Sequence, residues 1–393
     1  MPAPSILMIK LSLRTTIQFR ARSFMENKQQ NTTYNFTAGP AMLPVEVMQQ
    51  AQKEFLNWQS EGASVMEISH RSKGFISLMQ LARHNIRQLL DIPNNYHVLF
   101  MQGGARAQFA AIAHNFLGDN GKALYLTSGY WSEMAAKEAA QFGDVKTRSI
   151  LDEHSSNKKI IMPDLSQEAQ DLRYVHYCPN ETLDGLALFE NIESPYPLCA
   201  DMTSCILSRH TPINRYGLIY ASSQKNIGAA GFCLVIVRED LLSLPRLPMA
   251  SVLDYRLAVE YESMYSTPCT YSLYLASLIF EWLLDKGGLD AVQDINHKKA
   301  DKLYQFIDAS PLFHNTIATE NRSHTNVTFT TGDAKQDERF YINAAHSGLI
   351  GLQGHKMQGG LRASLYNAMP EAGVDALIQF MQEFTETYQS VSN

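Results

Sequence analysis

The stretch YASSQKNIGAAG, residues 220–231, places a lysine among small polar residues and glycines in a segment that otherwise reads as buried. The preceding YGLIY and the following GFCLVIV are typical of β-strands, so Lys225 falls in the turn between them. Lysine is rarely buried unless it is paired or chemically used. Burial favours its neutral amine, which can attack a carbonyl. Lys225 is therefore either a nucleophile in a cleft or an ordinary surface-loop lysine.

Around this turn, strand-like and helix-like segments alternate from about residue 45 to 280, which predicts an α/β fold with a mainly parallel sheet flanked by helices. HVLFMQ leads into GGARAQFAAIAHNFLG, and KALYLT leads into SGYWSEMAAKEAAQFG, each in the order strand, turn, helix. After about 285, a long helix, a strand and two further helices predict a smaller α+β domain. We expect an N-terminal arm at 31–44, a large domain at 45–285 and a small C-terminal domain at 286–393.

Unusual polar or aromatic residues follow four of the predicted strands. They are Gly104–Arg106, Trp131, Asn180–Thr182 and Asp201. In open α/β sheets, ligands bind at the carboxyl ends of the strands. The sequence therefore predicts that these residues converge on one cleft.

The chemistry of these residues suggests a particular cofactor. A carboxylate such as Asp201 could hold the protonated ring nitrogen of pyridoxal phosphate (PLP), which Lys225 would bind covalently. The GGARAQ turn allows backbone N–H groups to approach a phosphate at a helix start, and Trp131 offers a flat face for stacking. A capping role for Asp201 and a core position for Trp131 remain the alternatives.

Composition excludes several function classes. The net charge of −6 and the pI near 6.1 argue against a nucleic-acid partner. No apolar run approaches the ~18 residues that span a membrane. The five cysteines are scattered and form no CxxC pair, and no HExxH motif occurs, so we expect neither a disulfide framework nor a metal site. This usage fits a reducing, cytoplasmic location.

The first 24 residues contain Lys10, Arg14, Arg20 and Arg22 and no acidic residue, a composition similar to that of a transit peptide. An upstream start codon before Met25 explains them equally well. We expect residues 1–30 to lie outside the fold.

Seven segments resemble one known family, in register from about residue 34 to the C-terminus. They are NFTAGPAMLP, ISHRSKGF, GYW, HYCPNETLDG, ADMTSCILSR, YASSQKNIG and GGLRASLYNAMP. Together they closely resemble the phosphoserine aminotransferases, which are PLP enzymes of aminotransferase class V. The resemblance implies the PLP-dependent transferase fold type I, with a seven-stranded sheet in the large domain. It also implies transamination between glutamate and 3-phosphohydroxypyruvate in serine biosynthesis, and leaves open the 4-phosphohydroxythreonine pair of pyridoxine biosynthesis.

By this resemblance, Lys225 bonds covalently with PLP and later moves the reacting proton. Asp201 pairs with the pyridine nitrogen, Thr182 binds the phenolic oxygen and Trp131 stacks on the ring. The resemblance assigns the cofactor phosphate to Ala105, Arg106 and Gln224 and, from the neighbouring subunit of a homodimer, Ser266 and Thr267.

The resemblance also implies the substrate contacts. Arg362 binds the α-carboxylate through its planar guanidinium. His70 and Arg71 of the other subunit bind the anionic side group, together with His355 and Lys356. Such a pocket needs several fixed cations, because buried phosphate and carboxylate groups must be paired.

Besides a mild change at Ala105 and Ala107 in the GGARAQ turn, three positions depart from the family pattern. Ser266 stands where the family has asparagine, Lys356 where it commonly has arginine, and Ala38 near a usual serine. These changes bear on affinity for the cofactor or the substrate and leave the reaction type unchanged.

Two other functional interpretations compete with that of a phosphoserine aminotransferase. Another class V enzyme, such as an alanine–glyoxylate transaminase, would not need the second cationic cluster of His70, Arg71, His355 and Lys356. A cysteine desulfurase would need a mobile-loop cysteine well after Lys225, whereas the last cysteine here is Cys269. A non-catalytic PLP-binding regulator could dispense with the lysine, so the presence of both Lys225 and Asp201 argues against it.

Overall fold

The computed structural model describes residues 33–166, 168 and 171–392, so the predicted leader lies outside the described residues. Within these ranges there are nine α-helices. They are α1 (Val45–Glu54), α2 (Lys73–Leu90), α3 (Ala105–Phe116), α4 (Tyr130–Ala139), α5 (Tyr255–Glu260), α6 (Thr270–Asp285), α7 (Gly288–Ala309), α8 (Ala334–His346) and α9 (Glu371–Ser392). In the described chain, no helix is both long enough and apolar enough to cross a membrane.

The same part of the chain contains thirteen β-strands. They are β1 (Tyr34–Asn35), β2 (Tyr96–Gln102), β3 (Lys122–Thr127), β4 (Asp144–Ser149), β5 (Leu172–Tyr177), β6 (Asn180–Glu181), β7 (Leu186–Ala187), β8 (Leu198–Asp201), β9 (Tyr216–Ser222), β10 (Phe232–Arg238), β11 (Asn326–Phe329), β12 (Leu349–Ile350) and β13 (Leu361–Ser364).

Seven strands form the central sheet, in the order β2–β10–β9–β8–β5–β3–β4. The pairs β9–β8, β8–β5, β5–β3 and β3–β4 are parallel, whereas β10 runs antiparallel to both of its neighbours. The predicted mainly parallel seven-stranded sheet is therefore confirmed. Since β10 reverses direction, the turn between β9 and β10 lies at the carboxyl edge of the parallel strands, and this turn carries Lys225.

Both faces of the sheet are buried, as the near-continuous apolar strands require. On β2, Val98 and Phe100 belong to one hydrophobic core cluster, and the alternating Leu99 and Met101 belong to another. Helices cover both faces and leave the strand ends available for a site.

A third core cluster forms around α7, α8 and α9 with the antiparallel pair β11–β13. Phe36, near the start of the described chain, is completely buried in this cluster. The adjacent β1 pairs in parallel with β12, so the two ends of the described chain share one core.

Candidate active site

A cavity at the carboxyl edge of the sheet brings together side chains from every predicted strand end. Its walls come from five parts of the chain: the start of α3, the start of α4, the segment after β5, the end of β8 and the turn before β10. The lining residues include Ala105, Trp131, Asn180, Thr182, Asp201, Gln224 and Lys225. The predicted convergence of these segments on one cleft is confirmed.

Lys225 is buried at this cavity, with 7% of its surface exposed. Its Nζ donates a hydrogen bond of 2.7 Å to Oγ1 of Thr182. Burial lowers the pKa of Lys225 to about 8; the nearby Asp201 opposes this effect and Arg362 adds to it. The surface-loop interpretation is therefore wrong, and a substantial fraction of the amine is neutral near physiological pH.

Asp201 ends β8 and faces the same cavity. Its Oδ1 accepts a hydrogen bond of 2.9 Å from the backbone N–H of Thr203. Burial raises the pKa of Asp201, while the bonds from Thr203 and the proximity of Lys225 act in the opposite direction. Tyr220 also contacts the carboxylate, and its hydroxyl lies 2.9 Å from Nε2 of His176. Asp201 is thus a fixed carboxylate that a cationic ring nitrogen would complement.

The start of α3 forms another wall of the cavity. Ala105 is the first residue of this helix and lines the cavity. The N–H of Ala107 donates to the carbonyl of Gly104 at 3.0 Å, so the N–H groups of Ala105 and Arg106 are those that an anion can use. A Cβ at Gly104 would lie 3.2 Å from Oγ of Ser222, so the backbone here approaches β9 closely. Arg106 is exposed, and its guanidinium lies 5.7 Å from the ring of Trp131 instead of lining the cavity.

Trp131 is held by Glu181, which lies within the predicted segment Asn180–Thr182 but had no role assigned from the sequence. Glu181 is fully buried and accepts hydrogen bonds of 2.9 Å from the backbone N–H groups of both Trp131 and Ser132. A third bond, of 2.6 Å, comes from the hydroxyl of Ser132. Burial raises the pKa of Glu181 to about 7. Glu181 precedes Thr182 in sequence, so one short segment fixes both the aromatic ring and the hydroxyl of the site.

The structure places Arg362 on β13, beside this cavity. It is 9% exposed, and its Nη1 donates a bond of 3.4 Å to the carbonyl of Thr182. Its buried Nε has no hydrogen-bond partner within the described part of the chain. Burial lowers the pKa of Arg362, although arginine remains charged at physiological pH. A buried guanidinium with an unused N–H is suited to bind a carboxylate.

Four predicted residues do not meet Lys225 within the described part of one chain. None of His70, Arg71, Ser266 and Thr267 lines its cavity. Gln102 instead donates to Oγ of Ser266, at 2.9 Å, and to the carbonyl of Thr267, at 2.6 Å. Arg71 is exposed, whereas His70 is half-buried. The assignment of all four to the neighbouring subunit stays a prediction.

His355 and Lys356 lie on the loop between β12 and β13. The ring of His355 is 5.9 Å from that of Tyr130, at the start of α4, and Lys356 is exposed. Neither residue lines the cavity of Lys225. Their contact with a substrate side group stays a prediction as well.

The family model described as aminotransferase class-V matches residues 33–377. The chain belongs to the class V aminotransferases. Within this family, it is 51% identical to the phosphoserine aminotransferase of Shewanella baltica over 354 residues, which are 89% of this chain and 98% of the relative. That of Shewanella woodyi is also 51% identical, over 357 residues.

Solved structures of class V aminotransferases confirm the fold type I architecture. The phosphoserine aminotransferase of Bacillus circulans subsp. alkalophilus superimposes with a TM-score of 0.86 at 38% identity, covering 91% of this aminotransferase and all of that chain. The PLP-bound enzyme from Trichomonas vaginalis gives a TM-score of 0.82 at 39% identity, covering 89% of this chain and 99% of that one.

Proposed function

We propose that this aminotransferase uses PLP to transfer an amino group from glutamate to 3-phosphohydroxypyruvate, which gives phosphoserine and 2-oxoglutarate for serine biosynthesis. The observation that carries the proposal is that buried Lys225 and buried Asp201 line one cavity. The 51% identity to phosphoserine aminotransferases over nearly the whole chain supports the substrate assignment.

The residues present fit the cofactor. Asp201 would hold the ring nitrogen, Thr182 the phenolic oxygen and Lys225 the aldehyde carbon, while the start of α3 and Gln224 would hold the phosphate. The buried Nε1 of Trp131 has no hydrogen-bond partner in the portion of the chain that the structure describes, and Trp131 lines the same cavity. When bound, PLP supplies an electron-withdrawing ring that stabilises negative charge at the substrate Cα.

The protein's own residues do the rest of the chemistry. With its pKa lowered to about 8, Lys225 can take a proton from the substrate Cα and deliver it again at neutral pH. Arg362 would bind the α-carboxylate and orient the Cα–H bond toward Lys225. Desolvation of the cavity strengthens both interactions, because charges attract more strongly in a medium of low dielectric constant.

The side-group anion would be bound at the subunit boundary. We assign this role to His70 and Arg71 of the partner subunit, with His355 and Lys356 of the same chain, as in the family pattern. Ser266 and Thr267 of the partner subunit would complete the phosphate site.

A homodimer would also cover exposed apolar side chains that lie near these residues in sequence. They include Val45, Met48, Phe55, Leu56 and Met66 on one segment and Val252, Tyr261 and Tyr265 on another. Such exposure is typical of an interface. Sedimentation should show a dimer, and activity should fall on dissociation.

We place the enzyme in the cytoplasm, in keeping with its five unpaired cysteines. The division into a large domain at 45–285 and a small domain at 286–393 is part of the same proposal. The proposal also includes transamination of the 4-phosphohydroxythreonine pair as a second reaction.

A screen of amino donors and keto acceptors tests the function. Purified protein with PLP should form glutamate from phosphoserine and 2-oxoglutarate, and should be far less active with serine or alanine as donor. The reaction is measured by release of the keto acid. Higher activity with alanine and glyoxylate would instead identify an alanine–glyoxylate transaminase.

A further inference from the structure

A second cavity, of about 320 Å³, lies next to the cavity of Lys225, here called the cofactor cavity, because Leu183 lines the former and the adjacent Thr182 lines the latter. We call this second cavity the side cavity. Arg362 lines it and also donates to the carbonyl of Thr182, which lines the cofactor cavity. The polar residues that line the side cavity include Lys158, Asp184, His314, Gln358 and Arg362.

The backbone directs the side chain of Lys158 into this cavity. Its N–H donates to the carbonyl of Thr316 at 2.8 Å, and its carbonyl accepts from the N–H of Ala318 at 3.0 Å. Successive side chains on such extended backbone point in opposite directions. Accordingly, Lys159 does not line the cavity and pairs with Glu320 at 2.8 Å. The two adjacent lysines are thus fixed in different surroundings.

An ion pair positions the ammonium group of Lys158 at the cavity wall. Its Nζ lies 2.7 Å from Oδ1 of Asp184, which also accepts a bond of 3.0 Å from Gln358. Asp184 is 8% exposed, whereas the side chain of Lys158 is 43% exposed. An ammonium group has three N–H donors. With one of them directed at Asp184, the others remain available to a ligand.

The side cavity therefore offers two cationic groups to one ligand. Arg362 lines the cavity, and its buried Nε has no hydrogen-bond partner among the described residues; Lys158 lines it with unused donors. His355 and Lys356, the cations predicted from the adjacent loop, are absent from its described lining. A ligand with two anionic ends matches this arrangement, because each end would meet a cation that is already positioned.

We propose that Lys158 determines substrate specificity by binding the anionic side group of the substrate whose α-carboxylate binds Arg362. Lys158 does this from the same chain, in addition to any cations of the partner subunit. The ligand class is a small acid with a phosphate or carboxylate side group. This inference rests on the proposed function and adds a residue to it.

The test compares Lys158→Met and Lys158→Arg with the matched control Lys159→Met, all as holoenzymes. One readout is calorimetric binding of 3-phosphoglycerate, which carries a carboxylate and a phosphate but no amino or keto group to react. The other is the KM and kcat of the half-reaction with phosphoserine, glutamate and alanine. Cofactor absorbance and melting temperature check that each variant folds and binds PLP.

We expect Lys158→Met to weaken 3-phosphoglycerate binding and to raise the KM for phosphoserine and glutamate by about 10- to 100-fold, the loss of a hydrogen bond to a charged group. Lys158→Arg should recover most of the affinity. The KM of Lys158→Met for alanine should equal that of the wild type, and Lys159→Met should match the wild type in both readouts. If the role of Lys158 were purely structural, the KM for alanine and the KM for the charged substrates would change by the same factor. That result would overturn the proposal. The proposal would also be overturned if Lys158→Met bound 3-phosphoglycerate as tightly as the wild type does.

Failure of the proposed function gives a different result. In that case the wild-type protein itself would not transaminate phosphoserine. If the wild type does react and Lys158→Met behaves like it, this inference alone is wrong.

Discussion

Two buried lysines in different regions show what separates a reactive amine from a structural one. Lys225 lies in the turn after β9 and Lys299 lies on α7, and they are 7% and 0% exposed. Burial lowers the pKa of both, to about 8 for Lys225 and about 7 for Lys299. Burial and pKa alone therefore do not distinguish them.

The surroundings of Lys225 and Lys299 distinguish the two residues. Lys299 donates to the carbonyls of Leu365, Tyr366 and Met369 at 3.3, 3.0 and 2.9 Å, so the ammonium group is saturated. Lys225 has one hydroxyl acceptor, Thr182, and faces a cavity. A lysine becomes available for chemistry when it is buried next to open space with donors to spare. Lys299 instead fixes the segment that follows β13.

Removing the amine at position 225 should have the largest effect. In Lys225→Ala, the half-reaction with glutamate should slow by about 10⁴-fold or more, because both the nucleophile and the proton carrier are lost. PLP should still bind noncovalently. Single-turnover absorbance measures the rate, with Lys299→Met as the buried-lysine control that keeps normal turnover per holoenzyme. Near-normal turnover in Lys225→Ala would remove the catalytic assignment.

The structural lysine should show the opposite pattern. Lys299→Met removes a donor from three carbonyl oxygens, of which that of Tyr366 still accepts from the N–H of Met369, so the free energy of unfolding should fall by about 2 kcal/mol. Urea denaturation measures this change. The adjacent Lys298, whose side chain is 67% exposed and pairs with Glu371, provides the control. Lys298→Met should change stability by less than about 0.5 kcal/mol, and equal losses in both variants would contradict the distinction.

A smaller effect concerns pH. Only the neutral amine attacks an aldehyde, so covalent capture of PLP by the cofactor-free protein should speed up by about tenfold per pH unit below 8 and level off above it. Borohydride trapping followed by mass spectrometry measures the rate, and Lys225→Ala should trap nothing. A midpoint near the ordinary lysine value of 10.5 would show that burial does not activate Lys225.

The sequence predicts the site well where residues follow strands. Trp131, Thr182 and Asp201 could be expected to converge because parallel strands end at one edge, and Lys225 follows from a turn at that edge. The antiparallel direction of β10 was not predicted, because strand patterns do not encode direction. The roles of the individual site residues came from the resemblance to the family, because the periodicity of hydrophobic residues does not indicate them.

Other residues were missed for physical reasons. Lys158 lies in an irregular segment and reaches Asp184 only through its pairing with Thr316, far away in sequence. The sequence indicates a role for Glu181 only weakly, because it is simply an acidic residue next to a buried strand end. Lys299 carried a clearer signal, since it lies on the buried face of α7 between Val292 and Leu303. A charged residue in an apolar helix stripe indicates a buried group with hydrogen-bond partners.

The pairing of β1 with β12 has a consequence for synthesis. Tyr34 pairs with Leu349, so the earliest described strand has no partner until the ribosome has made more than three hundred further residues. At roughly 5–20 residues per second, this wait lasts roughly 15–60 seconds. During translation, the buried Phe36 would be exposed to solvent or held by a chaperone. The C-terminal core would thus close after nearly the whole polypeptide has left the exit tunnel.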